Sequence, residues 1–271
     1  MAESENTANT EMNMAHRKAA GTRRESLDAI RGAALISMIA YHACWDLVWI
    51  FGVRWNWYRS YGAYLWQQSI CWTFILLSGY CFSLSRRPFR RGVVVFACGA
   101  LVTAVTVIFM PDNRVFFGVL SLLGSAILLT AALSPLLRRI PALCGCFISF
   151  ALFFLTRHTS GGTWCFGLFR LPARLYRNDL TACFGFPPKD FFSTDYFPLL
   201  PWLFLFWTGY YLFHCGFQRN FHFPFQQNGK PRFPRVPLLA AIGRHSLLIY
   251  LLHQPVIYGV LTLISRLSAA F

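Results

Sequence analysis

The sequence predicts an all-α polytopic integral membrane protein, a bundle of about seven transmembrane helices with its N-terminus inside. Three observations carry this expectation. Hydrophobic residues make up 56% of the 271-residue chain and charged residues only 13%, against about 25% charged in soluble domains. The apolar residues gather into runs of the length that crosses a bilayer, about 17–25 residues. The breaks between runs carry turn chemistry or basic clusters. A net charge of +15 would suit nucleic acid if it formed a patch on a polar domain. Here the basic residues fall in short clusters between apolar runs, which excludes that partner.

Residues 1–22 (MAESENTANTEMNMAHRKAAGT) are polar and poor in large apolar side chains, so a disordered cytoplasmic tail is expected there. The first apolar run begins only near residue 32, after mixed charges, which argues against a cleavable leader. Residues 23–271 form the membrane domain. Its spans are expected at 29–51, 62–84, 92–110, 115–137, 140–156, 197–217 and 238–264. Arg86-Arg87-Pro88, Pro111-Asp112-Asn113, Arg138-Arg139-Ile140-Pro141 and Gly229-Lys230-Pro231 separate them. With the N-terminus in the cytoplasm, this count of spans puts most of the 25 Lys and Arg residues inside. The C-terminus then lies outside.

The segment 157–196 is too long for a simple connector. Rich in aromatics and holding Asp179, Asp190 and Asp195, it reads as an outer cap or as a loop resting at the membrane interface. Cys165 and Cys183 share it and could pair in an oxidising compartment. The nine cysteines form no C-x-x-C pair, so no metal site is indicated.

The first span, SLDAIRGAALISMIAYHACWDLVWIF, carries one polar stripe. At about 100° per residue, Asp28, Arg31, His42 and Asp46 share an arc of about 60°, with two groups near each end, about 16 Å apart. Ionisable groups in a bilayer are costly and face a cavity or partner. His42 and Asp46, at i and i+4, are neighbours on one face. A carboxylate there would fix the imidazole tautomer and raise its basicity. His42 then suits a general base for a hydroxyl or amine entering from outside, or a packing bond to another helix. Arg31 suits phosphate recognition, while Asp28 suits an i, i+3 ion pair with it.

The last span, IGRHSLLIYLLHQPV, offers a second polar surface with Ser246, Tyr250 and His253, and Gln254 beside it. Arg244 lies near its inner end, a second cation for an anionic cosubstrate. His253 suits either a site-facing role or a bond between helices. Asp195, just before the sixth span, suits a hydrogen bond to a polar substrate or a place at a helix N-terminus. His214 is expected at the interface. Two other readings of these residues stay open. One is haem held by His42 and His253 as axial ligands; the other is a transporter or flippase using the stripe for coupling.

RRESLDAIRGAALISMIAYHACWDL, FILLSGY, FFGVLSLLGSAILL, DYFPLLPWLFLFWTG and IGRHSLLIYLLHQP together resemble the bacterial heparan-alpha-glucosaminide N-acetyltransferase-like family, within the wider superfamily of transmembrane acyltransferases. The likeness runs from about residue 24 to 257. It implies transfer of an acyl group, typically acetyl, from CoA in the cytoplasm to a glycan or amino sugar on the other side. Acetyl-CoA or another acyl-CoA would be a cosubstrate, with no permanently bound cofactor. The type-three acyltransferases of that superfamily carry an arginine and a histidine with ten residues between them on the first helix, the spacing of Arg31 and His42. The resemblance therefore implies Arg31 at the donor and His42 at the chemistry; the residues themselves add Asp46 to orient His42, Arg244 as a second cation for the donor, and Tyr250, His253 and Asp195 as further site groups. The heparan-type transferase has a histidine just after its first span; GVRWNWYRSY here has none.

Overall fold

The computed structural model describes residues 2–218, 226–227, 230–231 and 236–269, with side chains for 25–216 and 236–267. Its elements are α1 (Ala2–Trp49), α2 (Tyr61–Phe82), α3 (Pro88–Phe109), α4 (Val119–Leu137), α5 (Ala142–Leu155), the short α6 (Asp179–Ala182), α7 (Leu199–Gln218), α8 (Pro237–Arg244) and α9 (Ser246–Ala269). Strand structure among the described residues is limited to two-residue antiparallel pairings, such as Thr163–Trp164 against Phe169–Arg170. The fold is all-α, as expected.

Among the described residues, four segments are long and apolar enough to cross a membrane: Pro88–Phe109, Val119–Leu137, Ala142–Gly161 and Ser246–Leu267. They make the chain an integral membrane protein. Their outward faces are large and apolar. Leu101, Ile108 and Phe109 on α3 and Leu248, Leu252 and Leu263 on α9 are all exposed, as lipid-facing residues should be. The expected spans 29–51, 62–84 and 197–217 fall on α1, α2 and α7. These three carry more polar and aromatic residues, which dilutes their hydropathy.

The backbone is helical through residues 2–22, a stretch with no proline and with five alanines, the best helix former. One expectation is corrected. The run 238–264 is two helices rather than one. At His245 the backbone leaves the helix (φ −96°, ψ 22°). Its N–H reaches the carbonyls of Ala241 and Ile242, a helix-ending arrangement.

The described chain divides into two compact units, 1–73 with 220–271, and 74–219. In the first, α1 packs on α8 and α9. The α1–α8 crossing is held by reciprocal glycines. A side chain at Gly32 would fall on the Leu239 carbonyl, and one at Gly243 on the Asp28 carbonyl. Close backbone approach through small residues is how membrane helices gain packing without a hydrophobic drive.

The second unit repeats the device. Gly79, of the Leu-Ser-Gly stretch in α2, meets the Phe206 carbonyl of α7, and Gly209 meets the Leu76 carbonyl. Phe206 and Tyr210 are buried beside them. Tyr211 donates to the Leu137 carbonyl at 3.0 Å, and Trp207 to Thr130 Oγ1 at 3.0 Å. α7 begins with a break at Leu200 (φ −93°, ψ 127°), because the residue before a proline, here Pro201, is pushed to extended backbone.

The long loop in this unit is built from short turns. Asn178 caps α6 through the Thr181 N–H (2.9 Å), and Tyr196 donates to the Ala182 carbonyl (2.6 Å). Burial pushes the Tyr196 phenol above its usual range. Cys165 and Cys183 are free thiols.

Candidate functional site

The first unit gathers the polar residues of α1 and α9. The His42 and His253 rings meet edge to face, with centroids 4.9 Å apart at 64°. One turn further along α1, Asp46 is fully buried. Gln254 Nε2 of α9 donates to Asp46 Oδ1 at 2.6 Å. The carboxylate that the i, i+4 spacing assigned to His42 thus makes its hydrogen bond across to α9. The cross-helix amide is a donor and a short reach away, and it supplies what a buried carboxylate needs.

His253 Nδ1 is bonded to the Tyr250 carbonyl. A carbonyl only accepts, so Nδ1 carries the proton and Nε2 keeps its lone pair. That Nε2 is buried without a hydrogen-bond partner, as are Asp46 Oδ2 and Gln254 Oε1. Three unpartnered acceptors therefore sit on consecutive or bonded residues of one cluster. Most buried polar groups are satisfied, so a concentration of orphans is a feature of the site. Pro255 follows directly in α9; having no N–H, it cannot donate to the Leu251 carbonyl.

Aromatic residues stand along the same stretch of α1. Tyr41, next to His42, packs on Tyr58 (5.1 Å) and Trp66 (5.2 Å). Trp66 Nε1 donates to Ser37 Oγ at 2.8 Å, and Tyr58 donates to the Tyr41 carbonyl at 3.2 Å. Burial raises the Tyr58 phenol above its ordinary value, so it stays a neutral donor.

About 16 Å along α1 from His42, Arg31 and Asp28 form an ion pair of 2.8 Å. They lie at the α1–α8 crossing, where Gly243 rests on the Asp28 carbonyl. Arg244, the next residue, is exposed. The two arginines assigned to the donor thus flank one crossing. Asp195 belongs to the second unit. Its Oδ2 accepts from the Val119 N–H at 3.2 Å, at the start of α4. Of its two sequence readings, the helix N-terminus is the one seen, on α4 rather than on the helix that follows it in sequence.

A family model for the heparan-alpha-glucosaminide N-acetyltransferase catalytic domain matches residues 23–255. The chain belongs to this family. Neither a curated protein nor a solved structure is significantly similar to it. The match ends at Pro255 and spans the whole His42–Asp46–His253–Gln254 cluster. Membership in the heparan-alpha-glucosaminide N-acetyltransferase family makes the chain a transmembrane protein of acyltransferase type. The haem reading loses its footing on geometry: two imidazoles in edge contact leave no slot for a porphyrin between them. Gln254 is the site residue that sequence reasoning underweighted; its signal was its place beside His253 on the polar face of the last span.

Proposed function

We propose that this protein is a membrane acyltransferase that moves an acyl group, acetyl in the first instance, from a cytoplasmic CoA thioester to a hydroxyl or amine of an extracytoplasmic glycan or amino sugar. The observation that carries the reading is the acceptor-rich cluster in a chain of this family, with half-buried His42, His253 and Gln254 around the fully buried Asp46. A hydroxyl or amine is a donor, and it would satisfy lone pairs that the protein leaves unsatisfied.

In this mechanism an imidazole of the pair, His42 first, takes the proton of the acceptor as its oxygen or nitrogen attacks the thioester carbonyl. The carbon–sulfur bond breaks, and the CoA thiolate leaves and is protonated by the same imidazolium. The buried Asp46 carboxylate, one turn along α1, is the negative charge of the cluster nearest in sequence to the imidazolium that forms. Transfer through a transient acyl-imidazole on His42 uses the same bonds in two steps. Arg31 and Arg244 attract the phosphates of CoA to the inner end of the stripe, and Tyr250 lines the acceptor side. Domain and topology follow: one transferase domain over 23–271, residues 1–22 as its cytoplasmic tail, seven spans, N-terminus inside, in a bacterial inner membrane.

The test is acyl transfer by the purified protein in detergent, with acetyl-CoA and a panel of amino sugars. His42→Ala is expected to lower kcat by about 10²–10⁴-fold with little change in thermal stability. A variant as active as the wild type overturns the role of His42.

A further inference from the structure

A cavity lies within the 74–219 unit, where α2 ends, α3 begins and α4 and α7 end. It encloses about 410 Å³, the size of a small-molecule site. Its polar wall is made by Ser83, Ser85, Ser134, Arg138, His214 and Tyr210, and apolar Phe82 and Phe213 close it. No carboxylate lines it. His214 Nε2 and Ser83 Oγ share a hydrogen bond of 3.2 Å, and the His214 ring packs on Tyr210 at 4.6 Å. These contacts lock two walls against each other.

Two independent observations point to a ligand. Arg138 brings an exposed guanidinium to the lining, the side chain best matched to a tetrahedral oxyanion. Tyr210 is 2% exposed, and its hydroxyl is buried without a hydrogen-bond partner. A buried phenol is normally bonded; this one, on a residue of the lining, is covered rather than open and keeps its donor without a partner. The cavity sits at the end of two span-length helices, since α3 starts at Pro88 and α4 ends at Leu137. It therefore faces the water–headgroup boundary. Arg86, Arg87, Arg90 and Arg139 are exposed around it, which raises the local concentration of anions.

We infer that this cavity binds the phosphate of an organic phosphate ester, with Arg138 and the serine hydroxyls on the anion, Tyr210 as a donor from the wall and the phenyl rings against the ester's apolar part. The site is separate from the His42 cluster and does not depend on acyl transfer. Two sources share this chemistry: the headgroup of an anionic phospholipid, and a soluble nucleotide-like phosphate.

The full-length protein in neutral detergent is titrated with dioctanoyl phosphatidic acid, with dioctanoylglycerol as the uncharged control, and with adenosine 3′,5′-bisphosphate, following tryptophan fluorescence and thermal stability. Saturable binding of a phosphate probe is expected. Arg138→Ala should weaken it about tenfold or more, while Arg139→Ala, one residue away but outside the lining, should change it less than twofold. Tyr210→Phe should weaken binding several-fold while leaving the ligand-free protein as stable as the wild type or more so, because it removes an unsatisfied buried hydroxyl. It carries the test if Arg138→Ala does not fold. Arg138-dependent binding of phosphatidic acid alone assigns a lipid headgroup to the cavity, and Arg138-dependent binding of the bisphosphate alone a soluble ligand. Absence of saturable binding of both, or equal losses from Arg138→Ala and Arg139→Ala, overturns the site. His42→Ala should bind the probes as the wild type does, so a failure here and a failure of the transferase reading are told apart.

Discussion

At the residue scale, Asp46 is held by Gln254 rather than by its helical neighbour. Gln254→Ala strips the fully buried Asp46 Oδ1 of its donor, which costs about 1–3 kcal/mol. Asp46→Ala removes the acceptor and leaves the amide unmatched at a similar cost. The two changes act on one bond, so the double variant should lose less than the sum. A thermal or denaturant double-mutant cycle should return a coupling of about 1 kcal/mol or more. Additive losses would mean that the bond does not hold the two helices together. This partner shows where reading the sequence stops. The polar stripe on α1 and the polar face near His253 were both legible, because each follows from helical periodicity. Which group on one face meets which on the other was not, since that depends on the helix rotations fixed by packing. The same limit hid Asp195, whose partner stands 76 residues away.

At the element scale, glycine pairs set where helices cross. Gly79 and Gly209 let α2 and α7 meet backbone to backbone. Gly79→Ala puts a methyl group onto a carbonyl that belongs to a helix and cannot rotate away. Overpacking of this kind costs about 1–3 kcal/mol, against the gain of about 1 kcal/mol that alanine brings to an open helical position. Gly259→Ala is the matched control, because nothing lies within 4 Å of its added carbon. Unfolding in detergent should show loss at 79 and no loss, or a gain, at 259. If both variants behave alike, the crossing is not set by backbone contact. Helix positions were the most legible part of the fold, since long apolar runs have few other solutions in lipid. The break at His245 was not, because apolar runs continue on both sides of it; it falls two residues beyond Gly243, where α8 meets the Asp28 carbonyl.

At the scale of the whole molecule, orientation decides which end of the stripe meets the acyl donor. Alkaline phosphatase, active only outside the cytoplasm, can be fused after residue 87, after residue 165 and after residue 271. The proposed seven-span arrangement with the N-terminus inside gives a silent first fusion and two active ones. The reverse pattern would put His42 on the cytoplasmic side and invert the direction of transfer. The basic clusters that predict the orientation are the same residues that surround the cavity of the 74–219 unit, so the fusions also decide which pool of phosphate compounds that cavity samples.

The capping of α4 by Asp195 bears on how the chain is made. Ser193 bonds both the N–H and the carbonyl of Phe116 at 2.9 Å, and Phe197 N–H reaches the Phe117 carbonyl at 2.8 Å. The start of α4 is thus stitched by residues that leave the ribosome 76 positions later. At about 5–20 residues per second, that helix waits roughly 4–15 s in the membrane with its N-terminal amides unclaimed. During this interval α4 is a candidate client for whatever insertion machinery shields polar backbone from lipid, and the arrival of Asp195 is its release.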